Sequence, residues 1–542
     1  RSDSDRNGKV TVQYTAQIHG NEPSSGEGAL AVMQALAGQY DSTLDVDTLL
    51  KNINLYIVPR VNPDGSAKFS RYDTVNAKDP NRDNLVVTFT EVQNLHRAYM
   101  LFCPEVAIDG HEFKGQIAGT VEDDYSINSD LQDDDEAGDY VLGMEDIRIS
   151  SSGSLNSSAA LIAGSRQMAT DAIRNCQNVG LRAYEYGNTV GNVNNRAYLG
   201  LNHCYAILLE SRGIKLNKSV NYERRVFAQY TAVSSILNFV VKNRDTILEC
   251  AKSARAEAVT NGKTYDESDY IVLQHGISGN TYTEYTRPVF NYNGTCADSS
   301  NIVKFEYFDT ALKTRPRPTA YVISAQAQGI TYTAPDGIKY AALENLKRIL
   351  QCNGIEYYVL ERPMGIEVQG YEWLSSSANL TSSTVVTFEP GSMVIPMDQV
   401  SANVAAVSFE PDVLDNVGST LVKEGIINIE SLYRCTVNYA RYALGLEVCT
   451  EHRWDDGTQI KAPTSTQSGI MQYTCKVCGE TKTAEIPATG GNYDTDWRGS
   501  SYAPSYAVSV DSGKHGAATV SPKNASQGNL VTVTIRPDIS YE

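Results

Sequence analysis

The chain is expected to fold as an α/β protein. A mixed sheet with helices on both faces would come first, followed by an α+β or β-rich second domain, a small Cys/His module and a partial β domain. Three observations predict this. Short apolar strands alternate with helical segments up to about residue 258, polar residues suited to chemistry stand at the ends of those strands, and the composition changes near residues 446 and 504. Alternating strands and helices build a sheet rich in parallel strands, and such sheets carry their sites beyond the strand ends.

Val10 to Ile18 alternates apolar and polar side chains as a strand does, and Ser24 to Ala37 has the composition of a helix opened by a serine cap. Ile53 to Pro59 is a second strand running into Asn62-Pro63-Asp64-Gly65, whose Pro and Gly mark a turn. Pro104 to Ile108 is a short buried-type strand leading to His111, and Tyr205 to Leu209 is another leading to Glu210. From Asn221 to about Ala258, apolar residues recur at helical spacing through Phe227, Tyr230, Val233, Ile236 and Phe239, a helix expected to close the first domain. Residues 265–445 mix strands such as Ala320 to Ser324 with an αβ unit, Lys339 to Gln351 followed by Ile355 to Leu360, and carry no readable chemistry. The expected divisions are therefore 1–258, 265–445, 446–488, a linker over 489–503, and 504–542. The last alternates as half-buried strands do in Ala507-Val508-Ser509-Val510 and Leu530 to Ile535, and is expected to be a truncated domain.

At 542 residues the chain is too long for one core, and the usual domain size suggests roughly three or four units. A formal net charge of -18 argues against nucleic acid or an anionic membrane surface as a partner. No apolar run approaches the roughly 20 residues that span a bilayer, so no membrane insertion is expected. The chain starts at Arg1 without a charged-then-apolar leader, so a signal segment is expected to be absent or already removed. Cys103, Cys176, Cys204, Cys250, Cys296 and Cys352 show no metal spacing and read as small buried apolar residues, with a disulfide among them as the alternative.

The chemistry concentrates in a few motifs. His19-Gly20-Asn21-Glu22 sets a His and a Glu three residues apart, so both side chains can turn to one metal, and His111 in Ile108-Asp109-Gly110-His111-Glu112-Phe113 supplies a third ligand. Three protein ligands leave one position for water, which describes a catalytic rather than a structural zinc. Asn81-Arg82 and Glu210-Ser211-Arg212-Gly213 add what a hydrolase needs around that water: a carboxylate to take its proton and cations for negative charge. Glu210 ends the apolar run Ala206-Ile207-Leu208-Leu209, so it should be partly desolvated with a raised pKa. Asp109 either orients a ligand or neutralises charge locally, and the sequence leaves both open. The acidic stretch from Glu122 to Asp139 matches no calcium-loop spacing and reads as a solvated loop; if it lines the cleft, it favours basic substrate residues.

In these motifs and their order, the chain resembles the zinc metallocarboxypeptidases of the carboxypeptidase A type, in the branch of large bacterial members. The resemblance covers about residues 9–245. It extends more loosely over 265–445, through Arg317-Pro318-Thr319-Ala320-Tyr321-Val322 and the segment from Pro390 to Gln399. It implies a carboxypeptidase-like fold, with His19, Glu22 and His111 as metal ligands. Glu210 would be the general base that takes a proton from the attacking water and returns it to the leaving amine. It also implies that Arg71 stabilises the oxyanion and that Asn81 and Arg82 hold the substrate's terminal carboxylate, a task that suits the planar fork of a guanidinium. The family's mobile tyrosine has three candidates, Tyr184, Tyr186 and Tyr198, of which Tyr198 is favoured. The family's catalytic domain has further strands and a helix before the metal motif, so its N-terminal part is expected to be missing here.

Farther on, Cys449-Thr450-Glu451-His452 and Cys475-Lys476-Val477-Cys478 present two ligand pairs separated by 22 residues. Four ligands with no spare position describe a structural, tetrahedral zinc in a zinc-ribbon-like module. The module lacks the basic face of a nucleic-acid finger. Its surroundings resemble Cys/His repeats in surface proteins of Gram-positive bacteria, and Val520 to Gly528 is similar to β-repeats of the same proteins. The resulting expectation is a secreted or surface-displayed enzyme of a Gram-positive type of bacterium, acting on a peptide or peptidoglycan-peptide and associated with the cell wall. Two alternatives use the same residues: a zinc-dependent acyl-amino-acid deacylase, and a catalytically silent surface protein that keeps a peptide pocket.

Overall fold

The computed structural model describes residues 8–39, 44–73, 77–114, 145–187, 194–213, 222–287, 289–290, 296–333, 337–374, 377–413, 420–437, 454–474, 481–488, 505–507, 516–521, 524–526 and 532–537. The chain divides into two compact units, residues 1–447 and 448–542.

The first unit is built on a six-stranded sheet of β1 (Val10–Ala16), β2 (Ile53–Val58), β3 (Val106–Lys114), β4 (Ile147–Ser151), β5 (Ala183–Glu185) and β6 (Tyr205–Gly213), in the order β2-β1-β3-β6-β4-β5. β2, β1, β3 and β6 run parallel, whereas β4 is antiparallel to β6 and parallel to β5. The sheet is thus mixed, as expected. Eight helices accompany it among the described residues: α1 (Pro23–Leu36), α2 (Val46–Asn52), α3 (Pro63–Lys68), α4 (Thr90–Phe102), α5 (Ala159–Asn178), α6 (Asn195–Leu201), α7 (Tyr222–Lys242) and α8 (Arg244–Asn261).

Because successive strand residues point to opposite faces, β3 and β6 divide their side chains between two cores. Val106, Ile108, Ile207 and Leu209 pack with Val32 of α1, Ile173 of α5 and Ile236 of α7. Ala107 and Ala206 face the other way, against Tyr99 of α4, Leu201 of α6 and Tyr321, Ile395 and Phe409 from beyond residue 265. Helices therefore cover both faces, and the second face is shared with the later region. There, Ala320–Ile323 lies between Met393–Pro396 and Leu432–Cys435 in a seven-stranded sheet, beside the helix Ala342–Cys352.

Local details depart from the sequence reading in three places. Ser24 is not the cap of α1: Glu22 stands at that position, Pro23 occupies the first turn, and the Ser24 hydroxyl donates to Glu112 instead. Asn62-Pro63-Asp64-Gly65 opens α3, where the Asn62 side chain accepts from the Gly65 N–H at 2.8 Å. The helix expected over 221–258 is two helices, because Asn243 leaves helical geometry and its side chain donates to the Phe239 carbonyl at 2.8 Å, closing α7.

In the second unit, Thr458–Lys461, Gly469–Thr474 and Thr481–Ile486 form an antiparallel three-stranded sheet, and two further strand pairs follow it. Cys449, His452, Cys475 and Cys478 lie outside the described residues, as does the acidic stretch Glu122 to Asp139. Among the described residues no helix is long and apolar enough to cross a membrane.

Candidate metal and catalytic site

The metal motif follows directly from β1. Gln17 takes a left-handed φ of 54° and turns the chain out of the sheet, and its side-chain amide donates to the Gly20 carbonyl at 3.0 Å. A Cβ on Gly20 would lie 2.0 Å from the Gly65 carbonyl carbon, so only glycine lets this loop rest on the first turn of α3. The loop is thereby held against the segment that carries Arg71.

His19, Glu22 and His111 are buried, and one ligand atom from each lies within 4.8 Å of the others. Glu22 Oε1 is 2.7 Å from His19 Nδ1, Glu22 Oε2 is 2.8 Å from His111 Nδ1, and the two Nδ1 atoms are 3.1 Å apart. The outer ring nitrogens meet carboxylates: His19 Nε2 lies 3.0 Å from Asp79 Oδ1, and His111 Nε2 lies 3.1 Å from Asp109 Oδ2. Of the two readings the sequence left for Asp109, the contact is that of an orienting partner. The Glu112 N–H also donates to Glu22 Oε2 at 3.1 Å. Burial alone would raise the Glu22 pKa, but His19 and His111 hold it well below the usual carboxylate range. Two imidazoles and a carboxylate converging on one point, with the outer nitrogens tied to carboxylates, form a donor set that fits zinc with one position left open.

β3 and β6 pair in register with His111 opposite Glu210, which brings the candidate base beside the ligands. Burial pushes the Glu210 carboxyl up to about 7, with the charge of His111 opposing and that of Glu22 adding. α3 ends at Phe69 in the left-handed conformation, and Arg71 follows. Its Nε and Nη2 donate to Asp79 Oδ2 at 3.1 and 2.9 Å, and its Nη1 reaches Glu22 Oε1 at 3.3 Å.

Asp79 also caps the turn Pro80–Arg82, accepting from the Asn81 N–H at 2.9 Å. That turn exposes Arg82, whose Nη1 donates to the Asn81 carbonyl at 2.9 Å. Asn81 itself is buried. Its amide nitrogen is 3.2 Å from His111 Nε2, and its oxygen accepts from the Asn195 N–H at 2.7 Å, so it braces His111 against α6.

Tyr198 is not brought to this cluster. It is 1% exposed, stacks on His96 at 4.3 Å and meets Tyr99 edge-on, because α6 is buried along its whole length and turns this ring into the second core. Of the three tyrosines, Tyr186, just past β5, is the one whose phenol pKa Glu210 raises: that negative charge is the first cause and burial the second. Asp79 stands beside Asn81-Arg82 in sequence, and no motif reading singles it out. The signal for it was an aspartate directly before Pro-Asn-Arg, the place of a turn cap.

The fold is α/β, and its site gathers three side chains able to hold a metal ion beside a buried carboxyl. Residues 1–100 match the zinc carboxypeptidase family. Carboxypeptidase 2 of Trichophyton equinum is 23% identical over 445 residues, covering 76% of this chain and 73% of that protein. Its counterpart from Trichophyton rubrum is 23% identical over 440 residues, with the same coverage. Among solved structures, a metallo-carboxypeptidase from Burkholderia cenocepacia has 18% identity and a TM-score of 0.33, covering 44% of this chain and 59% of that one. By these likenesses the chain is similar to zinc carboxypeptidases over most of its length.

Proposed function

We propose that this protein removes single residues from the C-terminus of peptides in a zinc-dependent reaction. The observation that carries this reading is the register of β3 against β6, which sets Glu210 beside His111 and hence beside the converged ligand atoms of His19 and Glu22. Zinc held by these three residues would supply Lewis acidity and lower the pKa of water. Glu210 accepts a proton from the attacking water as the new C–O bond forms. It then delivers that proton to the leaving nitrogen as the C–N bond breaks, giving a shortened carboxylate and a free amino acid. Arg71 bears on the oxygen that gains negative charge, and Asp79 holds its guanidinium in place. Arg82 supplies the exposed cation for the terminal carboxylate, and Asn81 positions His111. Tyr186 serves as the tyrosine of the site.

Several wider expectations join this proposal. The substrate is a peptide or a cell-wall peptide, and the protein acts outside the cell or at its surface, in association with the wall. Residues 1–258 act as the catalytic part, with 265–445 as an accessory. A structural zinc at Cys449, His452, Cys475 and Cys478 rests on their spacing alone.

The test is incubation of the zinc-loaded protein with a peptide library, with products read by mass. Release of single C-terminal residues, abolished in Glu210→Gln with zinc retained, is the expected result. Intact peptides at full zinc occupancy would refute the reading.

A further inference from the structure

The turn that carries Asn81 and Arg82 runs directly into a loop, residues 83–89, whose backbone is fastened from far along the chain. The loop closes on Asp83: its carbonyl accepts from the Val87 N–H at 2.6 Å and its Oδ2 from the Phe89 N–H at 2.8 Å. Val87 takes a left-handed φ of 54°, which a β-branched residue adopts only where its surroundings impose it. Four consecutive carbonyls of this loop accept from side chains beyond residue 330. Asn353 donates to Leu85 at 3.1 Å, Arg348 Nη2 to Val86 at 3.1 Å, Arg348 Nη1 to Val87, and the Tyr332 hydroxyl to Thr88 at 2.9 Å. Gln93 of α4 adds contacts of 3.3 Å to the last two.

The donors are themselves fixed. Arg348 lies on α9 (Ala342–Cys352), where Asn345 Oδ1 accepts from its Nε at 3.2 Å and its Nη2 at 3.0 Å, and its guanidinium lies 4.1 Å over the Tyr332 ring. A planar fork that spans two neighbouring carbonyls fixes their relative direction, which a single ammonium cannot do. Arg82 is exposed and bonds the Asn81 carbonyl of its own turn, so its direction follows that turn. We infer that Arg348 is a positioning residue: through the loop 83–89 it sets the Asn81-Arg82 turn to receive a substrate's terminal carboxylate, and the accessory region thereby contributes to recognition of a free C-terminus. The inference rests on the reading of Arg82 as the anchor of that carboxylate.

Arg348→Met keeps an apolar stem and removes the donors, while Lys347→Met, at a neighbour that pairs with Glu344, is the control and should change nothing. With zinc-loaded protein and a peptide ending in a free carboxylate, Arg348→Met should raise KM about tenfold, change kcat by less than about threefold and keep zinc affinity, with Arg348→Lys between. A role in stability alone would lower the melting temperature and the active fraction but leave KM where it was; that result would overturn the inference. If Arg348→Met does not fold, Tyr332→Phe, which removes one hydroxyl donor from the loop, should still raise KM about threefold, and an unchanged KM overturns the inference equally. Equilibrium dialysis of the same peptide, as free acid and as amide, against zinc-loaded Glu210→Gln gives a readout without turnover. The acid should bind about tenfold tighter than the amide, and adding Arg348→Met should bring that ratio toward one. If the wild type cuts no peptide yet the ratio collapses in this way, the exopeptidase reading fails and the positioning role stands. If acid and amide bind alike, or the ratio survives Arg348→Met, the positioning role fails whatever is cut.

Discussion

One carboxylate connects most of the site's parts. Asp79 meets His19 Nε2, Arg71 and the Asn81 N–H, and His19 and Arg71 outweigh burial to keep it well below the usual carboxylate range. Asp79→Asn removes the anion from all three contacts, and zinc affinity should fall about 10- to 100-fold in a chelator competition titration. As the proposed base, Glu210 should set the pH response. A base must be ionised, so kcat/KM should fall as the pH drops through its pKa. That value is raised to about 7 without metal, and a nearby cation favours the carboxylate, so the acid limb should fall at or below neutrality. Glu210→Gln should remove this limb and lower turnover about a hundred- to ten-thousandfold. Tyr186→Phe should lower kcat more than Tyr198→Phe does, since of the two it is Tyr186 whose phenol feels the Glu210 charge. The convergence of His19, Glu22 and His111 was legible because a His and a Glu three residues apart, joined by a histidine at a strand end, suit little besides a metal. The tyrosine was not legible: the chain holds 33 of them, and the choice turns on which way a seven-residue helix faces.

At the level of elements, the site depends on a loop pressed against a helix start. Gly20→Ala places a Cβ 2.0 Å from backbone, which cannot move aside as a side-chain tip can. The expected cost is about 3 kcal/mol in denaturant unfolding together with lost zinc binding, in the range of severe overpacking. β3 and β6 were readable because their apolar runs lead straight into motif residues, and β1 because its apolar and polar residues alternate just before the His19 motif. The cap of α1 misled because a serine there looks like a cap, while Pro23 and the buried Glu112 carboxyl fix a different start. A single periodicity likewise ran through α7 and α8, although one asparagine closes the first.

In the whole molecule, the catalytic sheet shares its second core with residues beyond 265. Ala107 and Ala206 belong to one buried cluster with Tyr321, Ile395 and Phe409, residues distant in sequence that no local pattern could announce. A chain ended after residue 261 should therefore expose that face and lose cooperative unfolding, as judged by near-ultraviolet circular dichroism, whereas 1–447 should keep it. Zinc should stabilise the unit by about 3 kcal/mol when free metal exceeds its Kd by a hundredfold, and chelation should reverse the gain.

The central claim is recognition of a free C-terminus beside a zinc-dependent base. The most direct measurement compares one peptide as its free acid and as its C-terminal amide, each incubated with the zinc-loaded protein and followed by mass. The expected result is stepwise loss of the terminal residue from the acid, with the amide left intact. Equal cleavage of both, internal cuts, or no cleavage with one zinc bound at the His19–Glu22–His111 site would contradict it.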